Sequence, residues 1–407
     1  MPKLPGIPGI ESFSGHSFHT SRWDYAYTGG NSRGGLTGLA DKRVGVVGTG
    51  ATAIQCVPMV AEFARHLYVF QRTPSSVDRR DNRPTDPQWV SSLRPGWHHR
   101  RVVNFTNLCS GLPEKEDLVA DGWTDIMKEL AFVLNANAKV DPQNAELALF
   151  AQMERSRRNL AAIVKDPATA EALKAYYNYL CKRPCFSDVY LQAFNRPNVT
   201  LVDTQGKGVE RITPAGAVVG GKEYPLDCLI FATGYEFVTE FTGQIGFDIY
   251  GRDGLPLSKK WSQGMRTLHG MCTRDFPNLI ILGVAQSGIP VNFTHLIDER
   301  AIHAAYILRR CVDRNIRVFE PTQDAEDAWV EQIIAGRGPR RAFLESCPPS
   351  YYSQEGKDTP ATSLNDLYAG GPAAFFELLA DWRARESLQG LELTYGERAV
   401  ALDTTAE

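Results

Sequence analysis

The stretch RVGVVGTGATAIQ, residues 43–55, decides the fold. Its first half is a short β-branched run that ends in glycine, as buried strands do, and its second half opens a run with apolar residues at helical spacing. Between them, Gly48, Gly50 and Ala53 form a GxGxxA turn. The first glycine permits a tight turn, the second lets the backbone approach a pyrophosphate, and the small third residue allows close helix–strand packing. The stretch predicts a dinucleotide-binding unit, and the alternative is a purely structural turn.

A second buried strand, LYVFQ at residues 67–71, follows the helix and completes a strand–helix–strand unit. Free N–H groups and the helix dipole attract negative charge at the start of such a helix, so we expect this turn to hold phosphates. The residues predicted to contact the nucleotide are Gly48, Thr49, Gly50, Ala51, Thr52 and Gln55.

The end of the second strand indicates which nucleotide binds. NAD-binding units usually place an acidic residue here to bond the ribose 2′-hydroxyl, whereas this sequence has Arg72 followed by Thr73. A guanidinium beside a hydroxyl suits a 2′-phosphate, so the sequence favours NADP over NAD. The alternative is an arginine that faces solvent at the end of a strand.

The middle of the chain interrupts this pattern. Residues 80–113 are rich in proline and tryptophan, so we expect an irregular segment there. Residues from about 114 to 180 predict a helical insertion, in which Asp141 and Asp166, each followed by proline, mark helix starts.

Strands return after the insertion. Alternating strands and helices predict doubly wound α/β architecture, with a Rossmann-like NADP-binding domain at residues 43–235 and part of a second α/β domain at 236–407. Thr233 and Gly234 follow a buried strand and resemble a hinge at which the chain leaves a nucleotide domain. The predicted strands are VTLVD (199–203), the meander VERITPAGAVVGGKEY (209–224), LDCLIFATGYEF (226–237) and NLIILGVAQSG (278–288); the predicted helices are 292–314 and 372–390.

Composition excludes several partners. The net charge is −3 with both signs mixed, so neither a nucleic acid nor an anionic membrane is expected as partner. The first residues, MPKLPGIPGI, lack a basic start followed by a long apolar core, so no leader peptide is expected, and no apolar run is long enough to predict a membrane span. The eight scattered cysteines predict reduced thiols in the cytoplasm rather than disulfides, and none has zinc-ligand spacing, so no metal is expected.

Phe13, Gly15, His19, Trp23 and Asp24 match the pattern FxGxxxHxxxW(P/D). That pattern is the fingerprint of Baeyer–Villiger monooxygenases, and the chain resembles this family over nearly its whole length. Supporting stretches are GTGATAIQ, FQRTP, KRPCFSDVYLQAFNRPNVTLVD, LDCLIFATGYEF and WRARESLQGLEL. SYYSQEGK, residues 350–357, is similar to members that accept large cyclic or polycyclic ketones.

The resemblance implies NADP(H) and FAD as cofactors, with a ketone and O2 as substrates and an ester or lactone as product. It also implies that residues 1–42 form a linker, in which Gly15, His19 and Trp23 couple cofactor binding to domain motion. An equally good alternative is that His19 is a hydrogen-bonded structural residue and Trp23 an anchor.

Lys182 and Arg183 carry the chemistry that the resemblance implies. Arg183 matches the active-site arginine, and Lys182 matches a lysine that helps to hold the phosphate end of NADP. The reaction passes through an activated-oxygen anion and a tetrahedral oxyanion, and a permanently charged guanidinium suits both. Without the resemblance, the two residues would be interpreted as a surface basic pair.

The FAD site is expected to be incomplete. The family has two dinucleotide turns, but the sequence contains one, so we expect this chain to be N-terminally truncated and to need a further FAD-binding segment. Residues 236–407 would then be the C-terminal part of the FAD domain, with Asn292 and Phe293 as the expected flavin contacts. The alternatives are an NADP-binding protein without flavin activity and an N- or S-oxygenating flavin monooxygenase.

Overall fold

The computed structural model describes residues 2–130, 141–235, 241–350, 352 and 364–396. The strands are β1 His16–His19, β2 Arg43–Val47, β3 His66–Gln71, β4 Val77–Asp78, β5 Cys185–Phe186, β6 Val199–Asp203, β7 Arg211–Thr213, β8 Gly216–Val219, β9 Lys222–Pro225, β10 Cys228–Phe231, β11 Ile316–Pro321 and β12 Leu391–Tyr395. The α-helices are α1 Tyr25–Thr28, α2 Ala51–Phe63, α3 Pro87–Ser92, α4 Trp97–Cys109, α5 Gly122–Leu130, α6 Pro142–Ile163, α7 Pro167–Leu173, α8 Tyr190–Ala193, α9 Phe241–Ile245, α10 Leu257–Lys260, α11 Phe293–Asp313, α12 Gln323–Gly336, α13 Gly338–Glu345 and α14 Gly371–Ala384.

A five-stranded parallel sheet organises the first half of the chain, in the order β1-β10-β2-β3-β6. From β2 the chain passes through α2 to β3 on one side, whereas β10 lies on the other side of β2. The order of the strands therefore reverses between β2 and β10. Ligands of open α/β sheets bind beyond the carboxyl ends of the strands at such a point. Strand β10 is buried along its whole length, as expected for a central parallel strand.

Strand β1 is a structural addition that the sequence did not predict. His16–His19 pairs in parallel with β10, from His16 opposite Cys228 to His19 opposite Phe231. Part of the predicted linker is therefore an edge strand of the sheet. The proposed domain boundaries remain predictions.

Local patterns elsewhere gave the expected elements. β7, β8 and β9 form the predicted antiparallel meander. The Asp141 and Asp166 side chains accept hydrogen bonds from backbone N–H groups in the first turns of α6 and α7, as the sequence predicts for N-caps.

The prediction of an irregular segment at residues 80–113 is wrong. Helix α3 begins at Pro87 after Asp86, whose side chain accepts a hydrogen bond from Gln88 N–H. Helix α4 begins after Gly96, which adopts φ 82°. Proline and glycine mark helix starts here rather than a loop, and the helical block begins well before residue 114.

The predicted strand at residues 278–288 does not form. No other described strand pairs with it, and its amides bond elsewhere: Asn278 N–H donates to Phe319 O, Ile281 N–H to Met271 O, and Gln286 N–H to Asp366 O. An apolar run forms a sheet strand only where a neighbouring strand takes up its backbone groups. The remaining C-terminal core is made by α11, α12 and α14 with the antiparallel pair β11–β12.

The prediction of uniformly reduced cysteines is also wrong. Cys181 and Cys347 form a disulfide across 166 positions of sequence, whereas six cysteines are free. Cysteine spacing could not reveal this bond, because the two residues meet only in the folded chain.

None of the helices among the described residues is long and apolar enough to cross a bilayer.

A charge pair joins the starts of the two central strands. The Asp227 carboxylate, just before β10, accepts hydrogen bonds from Arg43 N–H (2.7 Å), Nε (3.0 Å) and Nη2 (2.8 Å) at the start of β2. These bonds lower the pKa of Asp227 to about 2. A two-pronged guanidinium–carboxylate contact of this kind fixes geometry as well as charge.

We predict that Asp227→Asn lowers the free energy of unfolding by about 1–2 kcal/mol at pH 7, since a partly exposed charge-assisted contact is lost. Because folding lowers the Asp227 pKa, its contribution is complete above the unfolded-state pKa near 3.8 and disappears as the pH falls toward 2. Urea unfolding at pH 7 and at pH 2.5 measures both effects. Asp41→Asn, which removes the exposed partner of Lys42, is the matched control and should change stability much less. Equal losses in the two variants would contradict the assignment.

Candidate functional site

The predicted nucleotide turn lies where β2 and β10 end side by side. Gly48 has φ 115°, and a Cβ atom there would lie 2.7 Å from the backbone oxygen of Ala232, just after β10. Both the backbone conformation and the close approach of the strands therefore require glycine at this position.

Gly50 has a different role, because a Cβ atom there would meet nothing within 4 Å. It is the N-cap of α2, whose first intrahelical bond runs from Ile54 N–H to Gly50 O. The amides at the start of a helix point beyond its end. The geometry thus leaves room and N–H groups for an anion at the head of a helix of 13 residues.

The other predicted residues of this turn have distinct surroundings. Thr49 is buried, and its hydroxyl donates to Thr73 O (2.9 Å), which ties the turn to the segment after β3. Gln55 Nε2 donates to Ala51 O (2.9 Å). Thr52 and Arg72 are exposed. The Thr49 side chain thus stabilises the turn, whereas the side chains of Thr52 and Arg72 reach solvent.

A cavity of about 680 Å³ opens beside the start of α2. It brings together four of the predicted residues, namely Ala51, Gln55, Arg183 and Asn292. The other lining residues come from α2, from the segment after β4, from the helical block, from the segment around β5 and from the segment before α11: Ile54, Arg80, Trp97, His98, Arg101, Val102, Phe105, Val119, Asp121, Trp123, Pro184, Cys185, Phe186 and Val291. The wall therefore combines parts of the chain that are far apart in sequence.

The cavity wall carries an excess of positive charge. Arg80, Arg101 and Arg183 contribute guanidinium groups, and Asp121 contributes a carboxylate. Asp121 is mostly buried and pairs with Arg80, with Nε 2.9 Å from Oδ2. Sequence reasoning missed Arg80, Arg101 and Asp121, and the only signal was the mixture of basic and aromatic residues in the stretch expected to be irregular.

Aromatic rings form the apolar part of the wall. Trp123 and Phe186 pack with ring centroids 4.1 Å apart, and Trp97 and Phe105 line the same space. A pocket that combines aromatic rings with charged groups suits an organic ligand that also carries polar groups. Trp261 does not line this cavity and is buried in a separate C-terminal cluster. Residues 351 and 353–357, which include most of SYYSQEGK, lie outside the described residues.

Arg183 lies between a covalent bond and a strand. On the N-terminal side of Arg183, Cys181 forms the disulfide. On the C-terminal side of Arg183, Cys185 begins β5, which pairs with β4. Arg183 itself is exposed and lines the cavity. Lys182 is not a lining residue, and its Nζ donates to Pro349 O (3.2 Å).

The fingerprint residues make structural contacts around β1, with Gly15 just before this strand and His19 at its end. A Cβ atom at Gly15 would lie 2.7 Å from Asp227 O and 2.5 Å from the Phe13 ring. His19 is buried at the end of β1, and its Nδ1 accepts a hydrogen bond from Ser21 N–H (3.1 Å). Burial lowers the pKa of His19, against an opposing effect of the Gly234 backbone.

Trp23 Nε1 donates to the Thr28 hydroxyl (3.0 Å), and its ring meets that of Phe18 edge to face. These contacts agree with an anchoring role for the fingerprint, and none of its predicted residues lines the cavity. The coupling of His19 and Trp23 to domain motion stays a prediction.

The remaining predicted residues lie outside the cavity wall or at its margin. The Thr233 hydroxyl donates to Lys3 O, and Gly234 adopts φ 77°. Asn292 is the N-cap of α11, where its side-chain oxygen accepts from Thr294 N–H (3.2 Å). Phe293 is half exposed and does not line the cavity.

A buried hydrogen bond connects the two halves of the chain behind the cavity. Thr106 on α4 and His295 on α11 share it, with 2.7 Å between Oγ1 and Nδ1. Burial lowers the pKa of His295 to about 4, so this histidine is neutral at pH 7. The contact fixes α4, a cavity wall, against the start of α11.

Known proteins resemble the chain over almost its full length. It is 53% identical over 402 residues to neopentalenolactone D synthase of Streptomyces avermitilis, covering 97% of this chain and 68% of that protein. It is 50% identical over 400 residues to Baeyer-Villiger monooxygenase ATR8 of Stachybotrys chlorohalonatus, covering 97% of this chain and 64% of that protein. No family model matches the chain.

Solved structures share the fold. Polycyclic ketone monooxygenase from Thermothelomyces thermophila superposes with a TM-score of 0.89 at 39% identity, covering 96% of this chain and 66% of that one. A steroid monooxygenase bound to NADP superposes with a TM-score of 0.75 at 25% identity, covering 97% of this chain and 73% of that one.

An α/β fold with a dinucleotide turn beside a cationic, aromatic cavity indicates a nucleotide-dependent enzyme, and the relatives above place it among the monooxygenases. The chain belongs to the Baeyer–Villiger monooxygenases. The predicted family, α/β architecture and cofactors FAD and NADP(H) are confirmed. The chain spans about two thirds of the length of these relatives.

We predict opposite outcomes for alanine at the two glycines of the turn. Gly48→Ala should unfold the domain or lower its melting temperature strongly, because the new Cβ would strike Ala232 O in a backbone conformation that disfavours side chains. Gly50→Ala should keep the wild-type melting temperature but weaken NADPH binding, because its Cβ enters the space open to the phosphates. Thermal unfolding and NADPH titration distinguish the two. Equal stability of both variants, or unchanged NADPH affinity in Gly50→Ala, would contradict this division of roles.

Proposed function

We propose that the chain is the larger part of an NADPH-dependent flavin monooxygenase that inserts oxygen beside the carbonyl of a bulky or cyclic ketone, giving an ester or lactone. The observation that carries the proposal is the position of Arg183, which lines the same cavity as the first residues of α2. The anion-stabilising group and the nucleotide turn thus share one space. The cytoplasmic location expected from the sequence remains a prediction.

The residues present fit the nicotinamide cofactor. Gly48 brings the backbone close to β10, Gly50 leaves open space, and α2 directs its first amides toward that space. Reduced FAD, when bound, supplies the activated form of O2. Asn292 lies in the cavity wall and is a candidate contact for the flavin, and Phe293, the next residue, is exposed beside it.

Arg183 is the proposed catalytic residue. Its guanidinium would hold negative charge on the carbonyl oxygen of the ketone when the tetrahedral intermediate forms. A guanidinium is a permanently charged group that offers several N–H donors. A preorganised donor of this kind acts most strongly where water is excluded, and a bulky ketone bound against the rings of Trp123 and Phe186 would displace water from this cavity.

The nucleotide preference is proposed from the segment after β3. Arg72 and Thr73 would bind the 2′-phosphate of NADP, as the sequence predicts. The exposure of Arg72 leaves its side chain accessible to solvent and thus to a phosphate. Lys182 is proposed to help hold the phosphate end of NADP, although its Nζ here donates to Pro349 O.

The substrate class is proposed from the cavity and from the names of relatives. The cavity of about 680 Å³ with aromatic walls suits a fused-ring ketone. Two relatives have names that fit this class, a polycyclic ketone monooxygenase and a pentalenolactone D synthase. We also propose that polypeptide beyond these 407 residues completes the FAD site, since the sequence has one dinucleotide turn and the relatives are longer.

We predict that Arg183→Ala and Arg183→Met lower ester formation by about 100-fold or more, as loss of a single oxyanion donor does in other enzymes. Hydride transfer from NADPH to FAD should persist, because it does not need the tetrahedral oxyanion. The measurements are product formation from a bicyclic ketone and anaerobic bleaching of the flavin band in enzyme that carries FAD.

Arg196→Ala is the matched control for Arg183, since Arg196 is exposed and does not line the cavity. Normal ester formation in the Arg183 variants would refute the assignment. A preparation that binds NADPH but shows no flavin band after incubation with FAD would favour the non-catalytic NADP-binding alternative for this chain.

We predict that Arg72→Ala raises the KM for NADPH by about tenfold and leaves the KM for NADH nearly unchanged, since one charge-assisted contact to phosphate is lost. Arg65→Ala is the control, because Arg65 is also exposed but precedes β3, at the opposite end of that strand. The KM values are measured from the steady-state rates of NADPH and NADH oxidation. Equal effects of Arg72→Ala on NADPH and NADH would place the 2′-phosphate elsewhere.

A further inference from the structure

The disulfide lies two residues before Arg183. It joins Cys181, which is fully buried, to Cys347, which is half buried and follows α13. Two hydrogen bonds strengthen the same contact: the Ser350 hydroxyl donates to Cys181 O (3.2 Å), and Lys182 Nζ donates to Pro349 O (3.2 Å). The segment 347–350 is thus attached to residues 181 and 182 at three points.

The backbone next to the disulfide is in an unfavourable conformation. Leu180 adopts φ 70°, in the left-handed region that residues with a Cβ rarely occupy. Such a conformation persists only when surrounding contacts enforce it. The Leu180 side chain packs in the cluster around Tyr179 and Met153, and the Phe343 ring of α13 packs against the same cluster. The covalent bond and this cluster therefore hold the turn together.

These contacts restrict the backbone conformation of Arg183. On its N-terminal side the chain is fixed at Cys181 by the disulfide. On its C-terminal side Cys185 N–H donates to Ser76 O (3.1 Å), and Phe186 pairs with Asp78 in the β4–β5 ladder. Three residues lie between the two fixed points, and Arg183 is the central one.

We propose that the Cys181–Cys347 disulfide is a positioning element for Arg183, which attaches the turn at residues 180–184 to segment 347–350 and fixes the guanidinium at the cavity wall. The inference rests on the proposed function, in which Arg183 stabilises the oxyanion. Cys181 and Cys347 contact neither substrate nor cofactor in this proposal, and they act through the backbone of the turn.

The Cys181–Cys347 disulfide can be reduced selectively, because the neighbouring free cysteine is a poor nucleophile. Cys185, the nearest free thiol in sequence, is buried, and burial raises its pKa to about 12. A thiol without thiolate character exchanges slowly with a disulfide. An added dithiol such as dithiothreitol can reduce the bond: its two thiols form a cyclic disulfide, and the two electrons and two protons pass to the sulfurs of Cys181 and Cys347.

The test compares four samples of the enzyme carrying FAD: wild type, Cys347→Ser, and each of these with dithiothreitol. Non-reducing peptide mapping shows whether residues 181 and 347 are joined. Hydrogen–deuterium exchange then follows residues 178–186, with residues 43–55 as an internal reference. The ratio of ester formed to NADPH oxidised reports the position of Arg183, because general loss of folded enzyme lowers both quantities together.

We expect faster exchange of residues 178–186 in Cys347→Ser and in reduced wild type, with residues 43–55 unchanged. The ratio of ester to NADPH should fall by about tenfold in both, since small displacements of a catalytic group cost at least this much. Dithiothreitol should not alter Cys347→Ser further. Cys311→Ser, which removes a free cysteine of α11, is the matched control and should behave as wild type.

The outcomes separate the two proposals. Absence of the 181–347 cross-link, or equal exchange of residues 178–186 before and after reduction, overturns the positioning role whatever the activity. Faster exchange with an unchanged ratio also overturns it, because Arg183 would then not depend on the bond. If the wild-type enzyme forms no ester, the proposed function fails, while exchange still decides whether the bond fixes the turn. If Cys347→Ser does not fold, reduced wild type provides the same comparison.

Discussion

The site depends on the close approach of two parallel strands at their carboxyl ends. Strands β2 and β10 come from positions almost two hundred residues apart, and Gly48 lies against Ala232 O with no room for a side chain. The Arg43–Asp227 contact fixes the opposite ends of the same strands. This pairing places the start of α2, which packs against the sheet, at the crevice with its first amides toward it, so the crevice suits an anionic nucleotide.

The helical block supplies what the sheet cannot. The nucleotide turn lies at the carboxyl ends of the strands, where the sheet alone leaves it exposed. The proposed oxygenation chemistry requires a space from which water is largely excluded. Helix α4 and the segment around Trp123 cover the crevice with aromatic rings, and Thr106 fixes α4 against His295 of α11. Burial lowers the pKa of His295, so the histidine that joins the two halves of the chain is neutral at pH 7.

The charged residues of the cavity wall have different roles. The Asp121 carboxylate is mostly buried and is compensated by Arg80, so this pair maintains the wall. Arg183 is exposed to the cavity, on a turn fixed by a disulfide and a short ladder. A guanidinium that stabilises a transient anion must stay in position and keep its charge available for that anion. Attachment through the backbone of the turn holds Arg183 in position without using its guanidinium.

Sequence patterns correctly predicted the elements whose structure depends on residues that are close in sequence. The apolar runs of β2, β3 and β10, the GxGxxA turn and the Asp-Pro helix starts were all predictable, because each depends on neighbours within a few residues. Tertiary structure alone decided the rest. Whether residues 278–288 form a strand depends on a pairing partner, and the bond of Cys181 depends on a residue 166 positions away. The three arginines of the cavity come from separate segments that meet only in the folded chain. Sequence patterns encode backbone preference and burial, but they do not encode which distant surfaces meet.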